Sequence, residues 1–140
     1  MKLLDLILSR VEWFDIANAA GDVFMRRYKL LRTPLGNVYL HHIRRSDEDR
    51  CLHDHPWPFV TLILAGGYRE VLPGGRRWRE PGSFLSRRAT FAHRIEVDRP
   101  AWSLVFVGPK CRAWGFFTLA GWRQFLPGQA RPICETGVAA

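Results

Sequence analysis

His53 and His55 stand two positions apart in the stretch CLHDHPWPFVTLILAGGY, residues 51–68, and a third histidine, His93, follows after further turns. Neutral imidazole is a ligand for iron, zinc, copper and nickel. Residues two apart in an extended chain project from the same face, so both rings of the pair point one way. Pro56 and Pro58 cannot donate to a sheet ladder, which puts the pair at a strand end or bulge, where a ligand can reach it. His93 falls on another expected strand. Three imidazoles from two strands, meeting on one inner face, would hold a metal with positions left open for water, oxygen or substrate. Taken alone, an HxH pair is often only solvated surface.

Several neighbours admit two readings each. His41 and His42 are adjacent on an expected strand, so one faces inward as a ligand, a hydrogen-bond partner or a core histidine, and the sequence does not say which. Asp54 lies between the paired histidines and points away from them, a residue suited to holding the turn with Asp47, Asp49 and Arg50. Tyr68 and Glu70 share a strand face and either approach the metal or serve structurally. Cys51 has the parity of His53 and His55 and lines the pocket or packs as a small hydrophobe. Trp57 shares parity with His55 and could wall the site, whereas Trp78, Trp102, Trp114 and Phe106 read as core. Trp122, after the last expected strand, reads as an edge cover or subunit contact.

The elements that must position these residues are mostly strands. Apolar residues from Leu3 to Ile16 recur at a spacing nearer 3.6 than 2, which predicts a helix over residues 2–18. From residue 23 the chain breaks into short segments rich in β-branched and aromatic residues, separated by turn signals. Strands are expected at 23–32, 37–44, 59–64, 68–72, 76–80, 83–86, 93–97, 102–107 and 112–119. The run at 59–64 is so apolar that both its faces should be buried, and Pro73-Gly74-Gly75 predicts a hairpin. The division expected is a helical extension at 1–22, a β-barrel at 23–126 and a loosely ordered tail at 127–140. Strands at this spacing make an antiparallel sandwich or small barrel.

At 140 residues the chain fits one domain with a core that needs no staple. No apolar run is long enough to span a bilayer, and Asp5, Arg10 and Glu12 break the pattern of a signal peptide. Three cysteines without CxxC spacing argue against a disulfide framework and for the cytoplasm. The net charge of +8 comes nearly all from arginine and favours anionic partners. Those charges are scattered in pairs, which speaks against a nucleic-acid interface.

These motifs resemble those of the cupin superfamily. Its first motif is a glycine, five residues, HxH, three or four residues, a glutamate, six residues and a glycine; His53, His55 and Gly67 match. The second is a glycine, five residues, PxG, two residues, a histidine, three residues and an asparagine; Gly82 and His93 match at full spacing. Arg88, Thr90 and Val97 replace the proline, glycine and asparagine, and Phe59 or Val60 stands where the glutamate ligand belongs. The resemblance covers residues 36–118 and implies an all-β, double-stranded β-helix (a jelly-roll barrel) with a short N-terminal helix. It also implies a homodimer and a three-histidine site, as in thiol dioxygenases, for one divalent transition metal: iron first, with zinc, nickel, manganese and copper as alternatives. Such a neutral ligand set favours a small anionic substrate, for which Arg69, Arg87 or Arg88 could be partners, with Trp57 and Tyr68 beside it.

Three functions compete on this basis. The first is an iron-dependent oxygenase acting on a small anion. The second is a sugar-type isomerase, epimerase or hydrolase using histidine as base. The third is a non-catalytic module that binds a small ligand.

Overall fold

The computed structural model describes residues 3–17, 21–46, 51–129, 132 and 134. It contains one short helix, α1 (Leu3–Leu8), and twelve strands: β1 (Trp13–Ala17), β2 (Val23–Thr33), β3 (Gly36–Ile43), β4 (Leu52–His53), β5 (Phe59–Ala65), β6 (Tyr68–Leu72), β7 (Gly75–Arg79), β8 (Phe84–Arg87), β9 (Arg94–Glu96), β10 (Ala101–Val107), β11 (Gly115–Thr118) and β12 (Gly121–Gln124). A six-stranded antiparallel sheet runs β1-β2-β3-β10-β5-β8. Two three-stranded sheets, β12-β11-β4 and β7-β6-β9, complete the wall opposite it, and a cavity lies between.

Period-two burial carries this architecture. Phe59, Thr61 and Ile63 on β5, and Ala101, Ser103, Val105 and Val107 on β10, are buried, while the residues between them are not. Register aligns the inward residues across strands: Ser103 faces His41 on β3 and Ile63 on β5. At the Ala101 end of β10, Ile43, Ile63, Tyr68, Leu85 and Ala101 form one core cluster. At its Val107 end, Tyr39, Phe59, Val105 and Val107 form another, with Trp57 packed against it. The turn from β5 to β6 is Gly66-Gly67, both at positive φ (81° and 75°). A Cβ on Gly66 would lie 2.4 Å from the Pro100 carbonyl oxygen, so glycine is needed for space as well as conformation.

Five expectations are corrected. Trp78 and Phe106, read as core, are 49% and 43% exposed. The helix ends at Leu8 rather than near residue 18, and Trp13–Ala17 is a strand. A short apolar helix is marginal by itself, whereas Trp13, Phe14 and Ile16 are good strand formers and the edge of β2 offers them backbone partners. Asp15 sits opposite Arg26 in that register, with Asp15 Oδ1 accepting from Arg26 Nε at 2.7 Å. The run at 59–64 is not buried on both faces, because Leu64 is 47% exposed; an antiparallel sheet can leave one face to solvent. Trp122 is not beyond the last strand but within β12. Cys51 and Cys134 form a disulfide, with Cα atoms 5.1 Å apart, inside a cluster with Phe116. Their separation of 83 residues hides the pairing from any spacing rule. Cys111 remains a free, exposed thiol.

Among the described residues no helix is long and apolar enough to cross a membrane. Asp47, Asp49 and Arg50, and most of the expected tail, lie outside the described residues.

Ile63 and Leu64 are neighbours in sequence with opposite surroundings, since Ile63 is 1% exposed. Ile63→Ala is expected to lower unfolding free energy by about 3 kcal/mol in denaturant titrations, and Leu64→Ala by about 0.5 kcal/mol or less.

Candidate metal centre

The three histidines are brought together by backbone pairing. His53 is the last residue of β4 and lies opposite Phe116 of β11. On its other side it forms an antiparallel bridge with His93: His53 N–H donates to the His93 carbonyl at 3.0 Å, and His93 N–H to the His53 carbonyl at 3.1 Å. His55 N–H donates to the Ala89 carbonyl at 2.9 Å, which ties the far side of the pair to the segment before His93. Asp54 turns the opposite way. Its carboxylate, 1% exposed, accepts from Gly115 N–H at 2.7 Å, Arg112 Nη1 at 2.6 Å and Trp122 Nε1 at 3.0 Å. That anchor bolts the histidine segment to β11 and β12.

One ligand atom from each of His53, His55 and His93 lies within 4.8 Å of the others. Nε2 of His55 and Nε2 of His93 face each other at 3.3 Å. Glu70 lies behind His93, with Oε1 2.8 Å from Nδ1 of the ring. A carboxylate there keeps the proton on Nδ1 and leaves the Nε2 lone pair aimed at the cluster. Glu70 Oε2 also accepts from Arg79 Nε at 2.8 Å and Arg87 Nη2 at 3.1 Å. Burial by itself raises the pKa of Glu70, but the His93 hydrogen bond and the Arg87 charge outweigh it and hold the value to about 2. The carboxylate is therefore ionised at neutral pH.

Burial, and then the nearby His53 and His93, push the pKa of His55 far below that of free imidazole. A neutral His55 can donate one Nε2–H across the 3.3 Å gap to His93, and a cation can take that proton's place. Aromatic rings wall the cluster: Phe59 lies 4.3 Å from the His55 ring, Phe91 5.4 Å from His93, and Phe116 6.2 Å from His53, centre to centre. The donor set and its outer carboxylate are those of a group that could hold a metal ion.

The cluster lies on the wall of a cavity of about 440 Å³, within the usual range for small-ligand sites. Of the residues picked out from sequence, His41, His53, Asp54, His55, Trp57, Tyr68 and His93 line it, and so does Trp114, which had read as core. Burial, then Glu70, raises the pKa of Tyr68, so its phenol stays a neutral O–H donor. Arg69 and Arg88 are not in the lining. Arg69 forms an ion pair with Asp98 on the outside of β6, its Nη1 donating to Oδ2 at 2.8 Å, and Arg88 is exposed. Cys51 is not in the lining either. His41 is the inward member of its pair, whereas His42 stacks on Trp102 with ring centres 4.1 Å apart. Two lining features went unread in the sequence: Arg27, and β1 with Phe14 and Ile16. The parity of Arg27 would have revealed it only once β2 was registered against His41.

No family model matches the chain, and no curated protein matches it in sequence. Solved structures do match in shape. The DMSP lyase DddQ from Ruegeria pomeroyi aligns at TM-score 0.61 and 19% identity, over 76% of this chain and 60% of that one, so the chain spans less than two thirds of its length. A cupin-2 domain protein from Rhodospirillum rubrum aligns at TM-score 0.65 and 13% identity, over 79% and 78%. The Fe(II) form of HppE aligns at TM-score 0.59 and 10% identity, over 71% and 57%. Identities this low carry the fold and not the activity. With antiparallel sheets around an inner cavity and neighbours of this kind, the chain has the cupin fold.

Proposed function

We propose that His53, His55 and His93 hold one divalent transition metal, iron foremost, and that the protein is an oxygenase acting on a small anionic molecule. The observation that carries this reading is the convergence of three imidazole ligand atoms within 4.8 Å on the cavity wall, with no carboxylate among them. The metal would supply Lewis-acid and redox chemistry at its open positions. The protein's part is to present neutral nitrogens, to fix the His93 ring through Glu70, and to exclude water with Trp57, Phe59 and Phe116. Tyr68 offers an O–H donor to a bound ligand.

The cavity's titratable groups support metal chemistry over a side-chain base. Asp54 is the one carboxylate among the described lining residues, and its oxygens are occupied by Gly115, Arg112 and Trp122. Tyr68 is shifted away from the range where a phenolate forms. His41 Nε2 is occupied by Arg27. Outside the histidine cluster, a proton-abstracting isomerase would find no free group of that kind among the described lining residues.

Protein purified without a polyhistidine tag is expected to carry about one transition-metal ion per chain, and His93→Ala to lose it in elemental analysis. Loaded with ferrous iron, the protein should consume oxygen with members of a small organic-acid panel, and His93→Ala should not. Protein that binds no divalent metal, or activity that survives exhaustive chelation, would overturn the reading. Glu70→Gln should weaken metal binding by about 10- to 100-fold in competition titrations with a chelating dye, because it replaces the ionised acceptor behind His93 with a neutral amide.

A further inference from the structure

Arg27 lines the inner cavity without an ion-pair partner among the described residues. Arg26 pairs with Asp15, Arg69 with Asp98, Arg79 and Arg87 with Glu70, Arg94 with Glu96, and Arg112 with Asp54. Arg27 projects inward from β2, and among the described residues no carboxylate forms an ion pair with it. Its Nε donates to His41 Nε2 at 2.9 Å, and its guanidinium lies over Tyr39 at 4.9 Å and Phe14 at 5.6 Å. Burial pushes its pKa down to about 10, which still leaves it charged at neutral pH. A desolvated cation without an anion is unfavourable, so a site that keeps one has a use for it.

The geometry indicates that use. With Nε engaged by His41, the two Nη groups have no hydrogen-bond partner among the described residues, and Arg27 lines the cavity that holds the histidine cluster. Two Nη donors form an end-on fork that matches the two oxygens of a carboxylate. His41 accepts from Arg27 at Nε2, so it is a neutral ring with its proton on Nδ1. Thr61 and Ser103 add hydroxyls to the lining, and the remainder is largely apolar and aromatic. Arg27 is the only lysine or arginine among the described lining residues, which suits a monoanion better than a phosphate dianion. Arg27 and the three histidines line the same cavity, so one small molecule can meet both.

We propose that Arg27, oriented by His41, binds the carboxylate of a small organic acid whose other end reaches the histidine cluster. This deepens the reading above and rests on it for the role of that other end.

The test uses the full chain, both metal-loaded and chelated. It is titrated with straight-chain carboxylates from acetate to hexanoate, their primary amides, butanesulfonate and inorganic phosphate. Binding is read by calorimetry and by tryptophan fluorescence, since Trp57 and Trp114 line the cavity. Chelated wild-type protein is expected to prefer a carboxylate over its amide by at least about 10-fold, and to bind phosphate more weakly than the carboxylate. Arg27→Gln should weaken carboxylate binding by about 10- to 100-fold and erase the preference over the amide. Arg27→Lys should keep part of it. The melting temperature of Arg27→Gln should equal or exceed that of the wild type, because a desolvated charge has been removed. Equal binding of acid and amide by the wild type would overturn the proposal, as would an Arg27→Gln protein that melts lower yet keeps the preference. If Arg27→Gln does not fold, the wild-type comparison and Arg27→Lys decide alone. A carboxylate preference in a protein that takes up no metal would overturn the metal centre and leave the role of Arg27 standing.

Discussion

Glu70 is a carboxylate removed from water, and the site's geometry depends on satisfying it. A charge buried to that degree is tolerated only when its lone pairs are filled. Here they are filled by Arg79 from β7, Arg87 from β8 and the His93 ring from the segment leading into β9. Three separate elements are thereby drawn to one point on β6. Leaving such a group without its partners costs about 3–5 kcal/mol, comparable to the net stability of a small domain, so the arrangement resists distortion. The orientation of His93 is a by-product of that constraint. A ring held by Nδ1 to a fixed carboxylate has nowhere to aim Nε2 except at its two neighbours.

The cavity has a matching asymmetry of charge. On the side of the smaller sheets, buried anions are matched by cations: Glu70 by two arginines, Asp54 by Arg112. On the side of the large sheet, Arg27 is held by a neutral histidine and two aromatic rings. Cation–π contact and one hydrogen bond orient a guanidinium without neutralising it. The interior thus carries net positive potential, and a divalent ion among the three histidines would increase it. An anionic ligand is the natural counterpart, and low local dielectric makes that attraction stronger than it would be at the surface.

The strand pattern was legible because period-two alternation and Gly/Pro turns are local signals. The β5–β6 turn at Gly66-Gly67 and the β6–β7 turn near Pro73-Gly74-Gly75 fall where composition puts them. The N-terminal segment misled because its leucines satisfy a helical spacing that the chain adopts for six residues only. What turned Trp13–Ala17 into a strand was the unpaired edge of β2, a partner invisible to a window of neighbouring residues. The Cys51–Cys134 bond was missed for the same reason, since spacing rules see pairs only a few residues apart.

Residue identity and strand parity were enough to show which side chains could do chemistry and to set His53 and His55 on one face with Asp54 on the other. Those follow from the geometry of an extended chain and need no knowledge of the fold. Which charges face the interior depended on how the strands pair. Arg69 and Arg27 are both arginines on strands, yet Arg69 meets Asp98 outside while Arg27 lines the cavity with no carboxylate paired to it among the described residues. That difference is made by register across strands far apart in the chain, where a shift of one residue would exchange inside for outside.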